Sequence, residues 1–255
     1  MQIRFLGTGT SDGIPTFLCS CPVCTSPNPA NKRLRSSLLI TKENYTVLFD
    51  TPPDMRYMLL RYRIPDLDAV FYTHPHYDHI AGLDDLRSHT LINKKPLEIY
   101  IHRRFNRDFK RRFHHIFHPL QTGGGIIKIN YHNFRDYTQI KAGPFCIKTL
   151  PVWHGKLEIT AYLVNNKVAY INDVSMIPEA VFAALGQPEI LILDMLRIRP
   201  HSTHFNFEQA LDAARKIGAG KTYFTHIAHE IEHEKVCAML PAGMELARDG
   251  MVIDL

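Results

Sequence analysis

The sequence predicts a layered α/β fold in which strands outnumber helices. Short apolar runs bounded by turn residues recur along the chain, and amphipathic segments of helical length stand between them in both halves. The 255 residues, 45% apolar and 22% charged, are enough to enclose a large core. Because no shift in composition marks a boundary, we predict a single domain over residues 1–255.

The strands are predicted from alternating or continuous apolar residues. The first ends where Gly7 begins a glycine-rich loop, and the next two form a hairpin that turns at Glu43-Asn44. In chain order, strands are expected at Ile3–Leu6, Leu38–Ile40, Thr46–Phe49, Ala69–Tyr72, Leu97–Ile101, Phe145–Val152, Thr160–Val164, Val168–Ile171, Ile190–Leu193 and Thr222–Thr225.

Helices are predicted from caps and from apolar residues at helical spacing. Asp54 is placed to cap a helix that runs to about Tyr62, and Asn206 to cap a helix over Phe207–Ile217. Two further helices are expected at Pro178–Leu185 and Arg104–Ile116.

The helix predicted at Arg104–Ile116 contains the most basic segment, residues 103–112. Phe105, Phe109 and Phe113 recur every four residues, so they form an apolar stripe along one face. We expect this stripe to dock on the core with the arginines in solvent. The alternative is a basic patch that steers a phosphorylated or nucleic-acid substrate.

Composition narrows the class of protein. The formal charge of +5 suits an anionic substrate but is too small to require nucleic acid. The longest apolar run is far short of the roughly 20 residues that a membrane span needs. The first residues lack the apolar stretch of a signal peptide, so we expect a cytoplasmic location with no membrane partner.

Fifteen histidines and five cysteines point to metal chemistry. Cys19, Cys21 and Cys24 lie within six residues, which suits a metal better than disulfides in a reducing compartment. Cys146 and Cys237 stand among apolar residues and are expected in the core.

The strongest motif is H-x-H-x-D-H, formed by His74, His76, Asp78 and His79 directly after a predicted strand. In a loop at a strand end, the first two histidines can point to one centre. Asp78 and His79 can then reach a neighbouring centre. Such a segment can hold two divalent ions close enough for one bridging water.

This motif resembles that of the metallo-β-lactamase superfamily of binuclear metallohydrolases, whose fold is an αβ/βα sandwich of two mixed sheets flanked by helices. The resemblance implies three further ligands, each just after a predicted strand: His154 for the first ion, Asp173 as the shared carboxylate, and His226 for the second ion. The implied binuclear site is therefore His74, His76, Asp78, His79, His154, Asp173 and His226.

The three clustered cysteines supply three thiolates, and a tetrahedral zinc requires a fourth ligand. His229, three residues after His226, is placed to complete a structural zinc site. C-x-C-x-x-C with T-H-x-x-H is similar to the PhnP family of phosphodiesterases of the bacterial carbon–phosphorus lyase pathway. That resemblance implies hydrolysis of a small cyclic phosphate diester, such as phosphoribosyl 1,2-cyclic phosphate, by attack of a hydroxide bound to two Zn or Mn ions.

The resemblance also implies roles for residues outside the ligand set. His204 corresponds to a general acid, which would act with Asp78 and Asp173; a surface histidine is the alternative, and His201 is a lesser rival. Asp50 corresponds to a carboxylate that braces the metal loop, or else caps a turn. The loop that begins at Gly7 would let the backbone approach the metal loop or an anion, or would simply form a tight turn.

Three other functions stay open. The basic segment favours a tRNA 3′-processing or other RNA phosphodiesterase, but the sequence shows no long inserted arm for gripping tRNA. A thioester or ester hydrolase would use the same metal pair to polarise a carbonyl. A scaffold that has lost activity is disfavoured, because every ligand type is present. The family also implies a homodimer.

Overall fold

The computed structural model describes residues 1–120 and 125–255. Helices stand between its strands in both halves of the chain, as expected for an α/β fold. They are β1 (Gln2–Gly7), β2 (Ser37–Lys42), β3 (Tyr45–Phe49), β4 (Ala69–Phe71), β5 (Leu97–His102), β6 (Ile129–Phe134), β7 (Gln139–Ala142), β8 (Phe145–His154), β9 (Leu157–Val164), β10 (Val168–Ile171), β11 (Ile190–Asp194), β12 (Lys221–Thr225), β13 (Met244–Leu246) and β14 (Val252–Asp254).

Most helices are short. They are α1 (Pro22–Thr25), α2 (Met55–Arg61), α3 (Tyr77–Ile80), α4 (Arg87–Ile92), α5 (Asn106–Arg112), α6 (His114–Phe117), α7 (Glu179–Leu185), α8 (Phe207–Ile217) and α9 (His233–Cys237), with 3₁₀ turns at Pro29–Asn31, Leu83–Leu86 and Arg103–Phe105. Both ends of α8 reflect its sequence. At the N-terminus, Asn206 and Gln209 form a reciprocal capping box. Gly218 ends the helix with a φ of 66°.

The strands form two seven-stranded mixed sheets. One has the order β14-β1-β2-β3-β4-β5-β6 and the other β13-β12-β11-β10-β9-β8-β7. Strands β3 to β6 run parallel in the first sheet, and β10 to β13 run parallel in the second. The carboxyl ends of parallel strands meet at one edge of each sheet, which is where an open α/β sheet binds ligands.

The two sheets pack face to face through large aromatic side chains. Phe49 of the first sheet lies 5.2 Å from Tyr162 and 5.5 Å from Tyr170 of the second, measured between ring centroids. Phe71 lies 5.7 Å from Tyr162. These rings are almost completely buried and join one hydrophobic cluster that spans both sheets. The expected two-sheet sandwich flanked by helices is confirmed.

All ten predicted strands are present, and the hairpin turns where expected. Strands β6, β7, β13 and β14 were not predicted. The helix predicted at Arg104–Ile116 is interrupted, because a 3₁₀ turn precedes α5 and Phe113, with φ −107° and ψ 37°, separates α5 from α6. Asp54 begins α2 without a side-chain cap, and its carboxylate instead pairs with Arg35.

The basic segment docks through its phenylalanines, as expected. Phe105, Phe109 and Phe113 are buried. Arg104 forms ion pairs with Asp136 and Glu158, so part of the positive charge of this segment is neutralised within the fold.

The prediction for the two isolated cysteines was wrong for Cys146, which is exposed, while Cys237 is half-buried. Cys146 lies in β8, where Phe145 and Ile147 on either side are buried. Successive residues of a strand face opposite sides, so Cys146 points outward. In residues 1–120 and 125–255 no helix has both the length and the apolar character that crossing a bilayer demands.

Candidate metal centre

Polar side chains collect where parallel strands of both sheets end. Asp50 follows β3, and the segment that starts at His74 follows β4. On the second sheet, Asp173 follows β10 and His226 follows β12. A backbone hydrogen bond of 3.1 Å from Thr160 to Thr73 joins the two sheets beside these strand ends.

Three of these residues have backbone conformations that residues other than glycine rarely adopt. The φ angles of Asp50, Asp173 and His226 are 61°, 63° and 60°. Each left-handed residue costs on the order of 1–3 kcal/mol and persists only when its surroundings enforce it. Such residues concentrate at functional sites, so their occurrence at one edge marks this region independently of the motif.

The first cluster consists of His74, His76, His154 and Asp173, whose ligand atoms all lie within 4.8 Å of one another. His74 Nε2 lies 2.8 Å from His76 Nδ1 and 3.2 Å from Asp173 Oδ2. Donor atoms around a tetrahedral zinc are about 3.3 Å apart, given bond lengths of about 2.0 Å. The first cluster therefore has the dimensions of one metal site.

The second cluster consists of Asp78, His79, Asp173 and His226, again with all ligand atoms within 4.8 Å. His79 Nε2 lies 3.2 Å from Asp78 Oδ2 and 2.9 Å from Asp173 Oδ2. His226 Nε2 lies 3.2 Å from Asp173 Oδ1. Asp173 thus belongs to both clusters. Its Oδ2 lies near His74 of the first cluster and His79 of the second, and its Oδ1 lies near His226.

Buried atoms without hydrogen-bond partners show that these residues fit a metal. Within the part of the chain that the structure describes, His79 Nε2, Asp173 Oδ1 and His226 Nε2 are buried and make no hydrogen bond. An unpaired buried polar atom is costly and requires an explanation. Divalent ions are bound by imidazole nitrogens and carboxylate oxygens, so ions in the two clusters would satisfy these atoms.

The protonation states of His74, His226 and Asp173 also suit metal ligands, which must be deprotonated to bind. Burial lowers the pKa of both His74 and His226 to about 3, so both imidazoles are neutral at physiological pH. Burial raises the pKa of the Asp173 carboxyl group, but His226 and His79 outweigh that effect and hold its pKa well below the usual value. Asp173 is therefore an anion.

Hydrogen bonds behind the clusters fix the orientation of the imidazoles. His79 Nδ1 donates to Asp50 Oδ2 at 2.8 Å, which turns Nε2 towards the second cluster. His154 Nδ1 donates to the carbonyl oxygen of Thr203 at 2.9 Å, which leaves Nε2 free. Partners of this kind set the tautomer of ligating histidines.

His204 lies beside both clusters and is buried, so the alternative of a surface histidine is wrong. Its Nδ1 is 3.0 Å from Asp194 Oδ2 and 3.1 Å from Asp173 Oδ1. Burial lowers the pKa of His204, but Asp194 and Asp173 outweigh that effect and raise it above the usual value. His201 is half-exposed, with its ring centroid 5.0 Å from that of His204.

Asp194 is the residue that the sequence reasoning missed. It ends β11 and is completely buried, and burial raises its pKa to about 6. Its Oδ2 accepts hydrogen bonds from His204 Nδ1 and, at 2.9 Å, from Val174 N. The signal was available, because an aspartate after an apolar strand is the pattern that also marked Asp50 and Asp173.

The predicted structural zinc residues form a third group, the cysteine cluster: Cys19, Cys21, Cys24 and His229. The three sulfur atoms lie 3.2, 3.6 and 3.5 Å from His229 Nδ1. Sulfur and nitrogen ligands of a tetrahedral zinc are about 3.5 Å apart. A hydrogen bond from the backbone N–H of Cys24 helps to lower the pKa of Cys21 to about 6, which favours the thiolate.

Two glycines of the glycine-rich loop allow a close approach of neighbouring backbone. A Cβ on Gly7 would lie 2.1 Å from the carbonyl oxygen of Arg35, and one on Gly9 would lie 3.0 Å from that of Leu34. Gly7 and Gly9 therefore make room for the neighbouring backbone of residues 33–35.

Comparison with known families agrees with this geometry. The family model described as a β-lactamase superfamily domain matches residues 45–227, which include every member of the first and second clusters. The chain belongs to the β-lactamase superfamily. It has the metallo-β-lactamase fold, as the sequence predicted.

Individual members of the superfamily narrow the relationship. A crystal structure described as a new diphosphatase from the PhnP family is 37% identical, with a TM-score of 0.92, and covers 100% of this chain and 97% of that one. An octanoyltransferase of Porphyromonas gingivalis is 31% identical over 98% of this chain and 51% of its own length. A ribonuclease Z of Synechococcus is 27% identical over 76% of this chain and 59% of its own length. The chain thus spans about half to three-fifths of these two curated relatives.

Proposed function

We propose that this superfamily member is a binuclear phosphodiesterase of the PhnP type that hydrolyses a small cyclic phosphate diester, such as phosphoribosyl 1,2-cyclic phosphate. The observation that carries the proposal is the convergence of the two clusters on one shared carboxylate, that of Asp173. Similarity along the whole chain to a PhnP-family structure supports the PhnP type and a phosphate-containing substrate.

In this proposal each cluster holds one divalent ion, Zn or Mn, and the cysteine cluster holds a structural zinc. When bound, the two ions would supply Lewis acidity and a nucleophilic water at neutral pH. Asp173 holds the two positions at a fixed separation because it belongs to both clusters. Asp50 and Thr203 keep one imidazole of each cluster aimed inward.

His204 is proposed as the general acid. Its Nδ1 is engaged by Asp194, so Nε2 is the atom from which a proton passes to the departing alkoxide oxygen. The carboxylates beside it raise its pKa, which keeps the imidazole protonated nearer to neutral pH. Asp194 holds the ring in this orientation.

A diphosphatase is a second candidate, favoured by the description of the 37% identical structure. Both reactions begin with attack at phosphorus. They differ in the leaving group, because a phosphate leaves without protonation whereas an alkoxide needs a proton. Dependence on His204 therefore separates the two candidates.

The test is turnover after reconstitution of the metal-free protein with Zn or Mn. A cyclic phosphate diester, a diphosphate diester, an acyl thioester and a short RNA are compared, and Asp173→Asn serves as a control for contaminating hydrolases. We expect preference for the cyclic diester and a fall of about 100-fold or more in kcat for that substrate in His204→Gln. Preference for the thioester, or for RNA with a steep dependence on salt, would refute the proposal.

A further inference from the structure

The segment between β11 and α8 forms a loop with a narrow neck. Backbone hydrogen bonds join Leu196 to Phe205 at 3.0 Å and Arg197 to Phe207 at 2.9 Å. The residues beyond this neck, 198–204, include both histidines of the segment, and we call them the histidine loop. This pairing holds the two ends of the histidine loop together.

The C-terminal part of the histidine loop, Thr203 and His204, touches the first cluster. The carbonyl oxygen of Thr203 accepts the hydrogen bond from His154, as described above. The fit is tight, since a Cβ on Gly155 would lie 2.7 Å from Thr203 Cγ2. His204 follows directly and lies 3.1 Å from Asp173. The position of the loop therefore decides how two imidazoles point.

The N-terminal part of the histidine loop is held by one carboxylate, that of Glu230. Arg199 donates to it twice, from Nε to Oε2 and from Nη2 to Oε1, both at 3.1 Å. Arg197 Nη1 lies 3.5 Å from Oε1. The Arg197 guanidinium also donates to the carbonyl oxygens of Arg199 at 3.2 Å and Pro200 at 2.7 Å. A bidentate contact reinforced by a second arginine restrains geometry better than an isolated surface pair.

Glu230 directly follows His229, a member of the cysteine cluster. The same stretch is tied to the neck of the loop, since Ala228 N donates to the carbonyl oxygen of Leu196 at 2.8 Å. Glu230 is thus the chain neighbour of the cysteine cluster, and its carboxylate binds Arg199 of the histidine loop.

We propose that Glu230 is a positioning residue, which fixes the histidine loop to the cysteine cluster through Arg197 and Arg199 and thereby sets the orientation of His154 and His204. The kinetic part of this inference rests on the proposed function. It gives the cysteine cluster a mechanical link to the reaction, beyond its contribution to stability.

The test is Glu230→Gln, which removes the charge and keeps the size of the side chain. We expect amide hydrogen exchange in residues 198–204 to become about tenfold faster. We expect kcat to fall about tenfold for a cyclic phosphate diester, whose leaving group needs a proton, with KM changed less than about twofold. For bis(p-nitrophenyl) phosphate, whose leaving group needs no proton, kcat should fall less, by no more than about threefold, because only the changed orientation of His154 affects it.

Two comparisons make the test specific. Arg199→Gln combined with Glu230→Gln should be no worse than Glu230→Gln alone, because both changes break the same contact. Glu189→Gln breaks an exposed pair with Lys167 and should match the wild-type protein in every measurement.

Wild-type exchange in the histidine loop of Glu230→Gln would overturn the inference, and so would equal slowing of both substrates. A wild-type protein inactive on both phosphodiesters would refute the proposed function alone. The exchange measurement would then still decide whether Glu230 holds the loop.

Discussion

His79 and Asp50 form a buried pair behind the second cluster, with His79 Nδ1 2.8 Å from Asp50 Oδ2. Thr73 donates twice to the same carboxylate, from N to Oδ1 and from Oγ1 to Oδ2, both at 2.8 Å. Three donors therefore hold Asp50, and Asp50 in turn holds His79. The strand that precedes the metal motif is thereby locked to the end of its neighbour.

Asp50→Asn should weaken metal binding at the second cluster by about 10- to 100-fold, because an amide presents one acceptor where the carboxylate presents two. The measurement is a titration of the metal-free protein against a chelator of known affinity. Asp68→Asn is a matched control, since Asp68 is also buried but accepts from Thr46 away from the clusters. Equal affinity in both variants would contradict the bracing role.

Asp173→Asn should abolish turnover and lose at least one catalytic ion while the chain stays folded. Asparagine suits the test better than alanine, because it tolerates the φ of 63° at this position. Metal analysis and a thermal melt distinguish loss of the site from loss of the fold. A variant that retained every ion would show that Asp173 does not bridge the clusters.

The ligands could be predicted because they follow apolar strands. H-x-H-x-D-H is local and strongly patterned, whereas His154, Asp173 and His226 are single residues that gained meaning only from the resemblance to a family. The structure places them together because the parallel strands of both sheets end at the same edge. Asp194 has the same signal but stands outside the ligand pattern, so it was missed.

The remaining differences arise where tertiary contacts override local pattern. Strands β13 and β14 have three residues each, too few to show a period. Asp54 carries a residue type suited to capping, but Arg35 lies 3.1 Å away and binds the carboxylate. Cys146 has apolar neighbours in sequence, yet alternation along the strand sends its side chain outward.

Cys21→Ser should release one zinc and lower the melting temperature by about 5 to 10 °C, because a structural zinc contributes folding free energy. Cys146→Ser is the matched control, since Cys146 is exposed and outside the cysteine cluster. Zinc content and a thermal melt are measured on both. Unchanged zinc and melting in Cys21→Ser would remove the cysteine cluster as a metal site.

Phe109→Ala should destabilise the protein by about 3–5 kcal/mol, because it empties a buried position in the stripe that docks α5. The Phe109 ring is completely buried, with its centroid 5.1 Å from that of Tyr72 and 4.8 Å from that of Phe113. Arg107→Gln, on the exposed side of the same helix, should change stability by less than about 0.5 kcal/mol. Urea unfolding measures the stability of both variants.

Turnover of the cyclic diester at low and high salt tests whether the positive charge of the basic segment steers the substrate. If Arg107→Gln slowed turnover at low salt but not at high salt, the basic segment would steer the substrate as well as pack against the core.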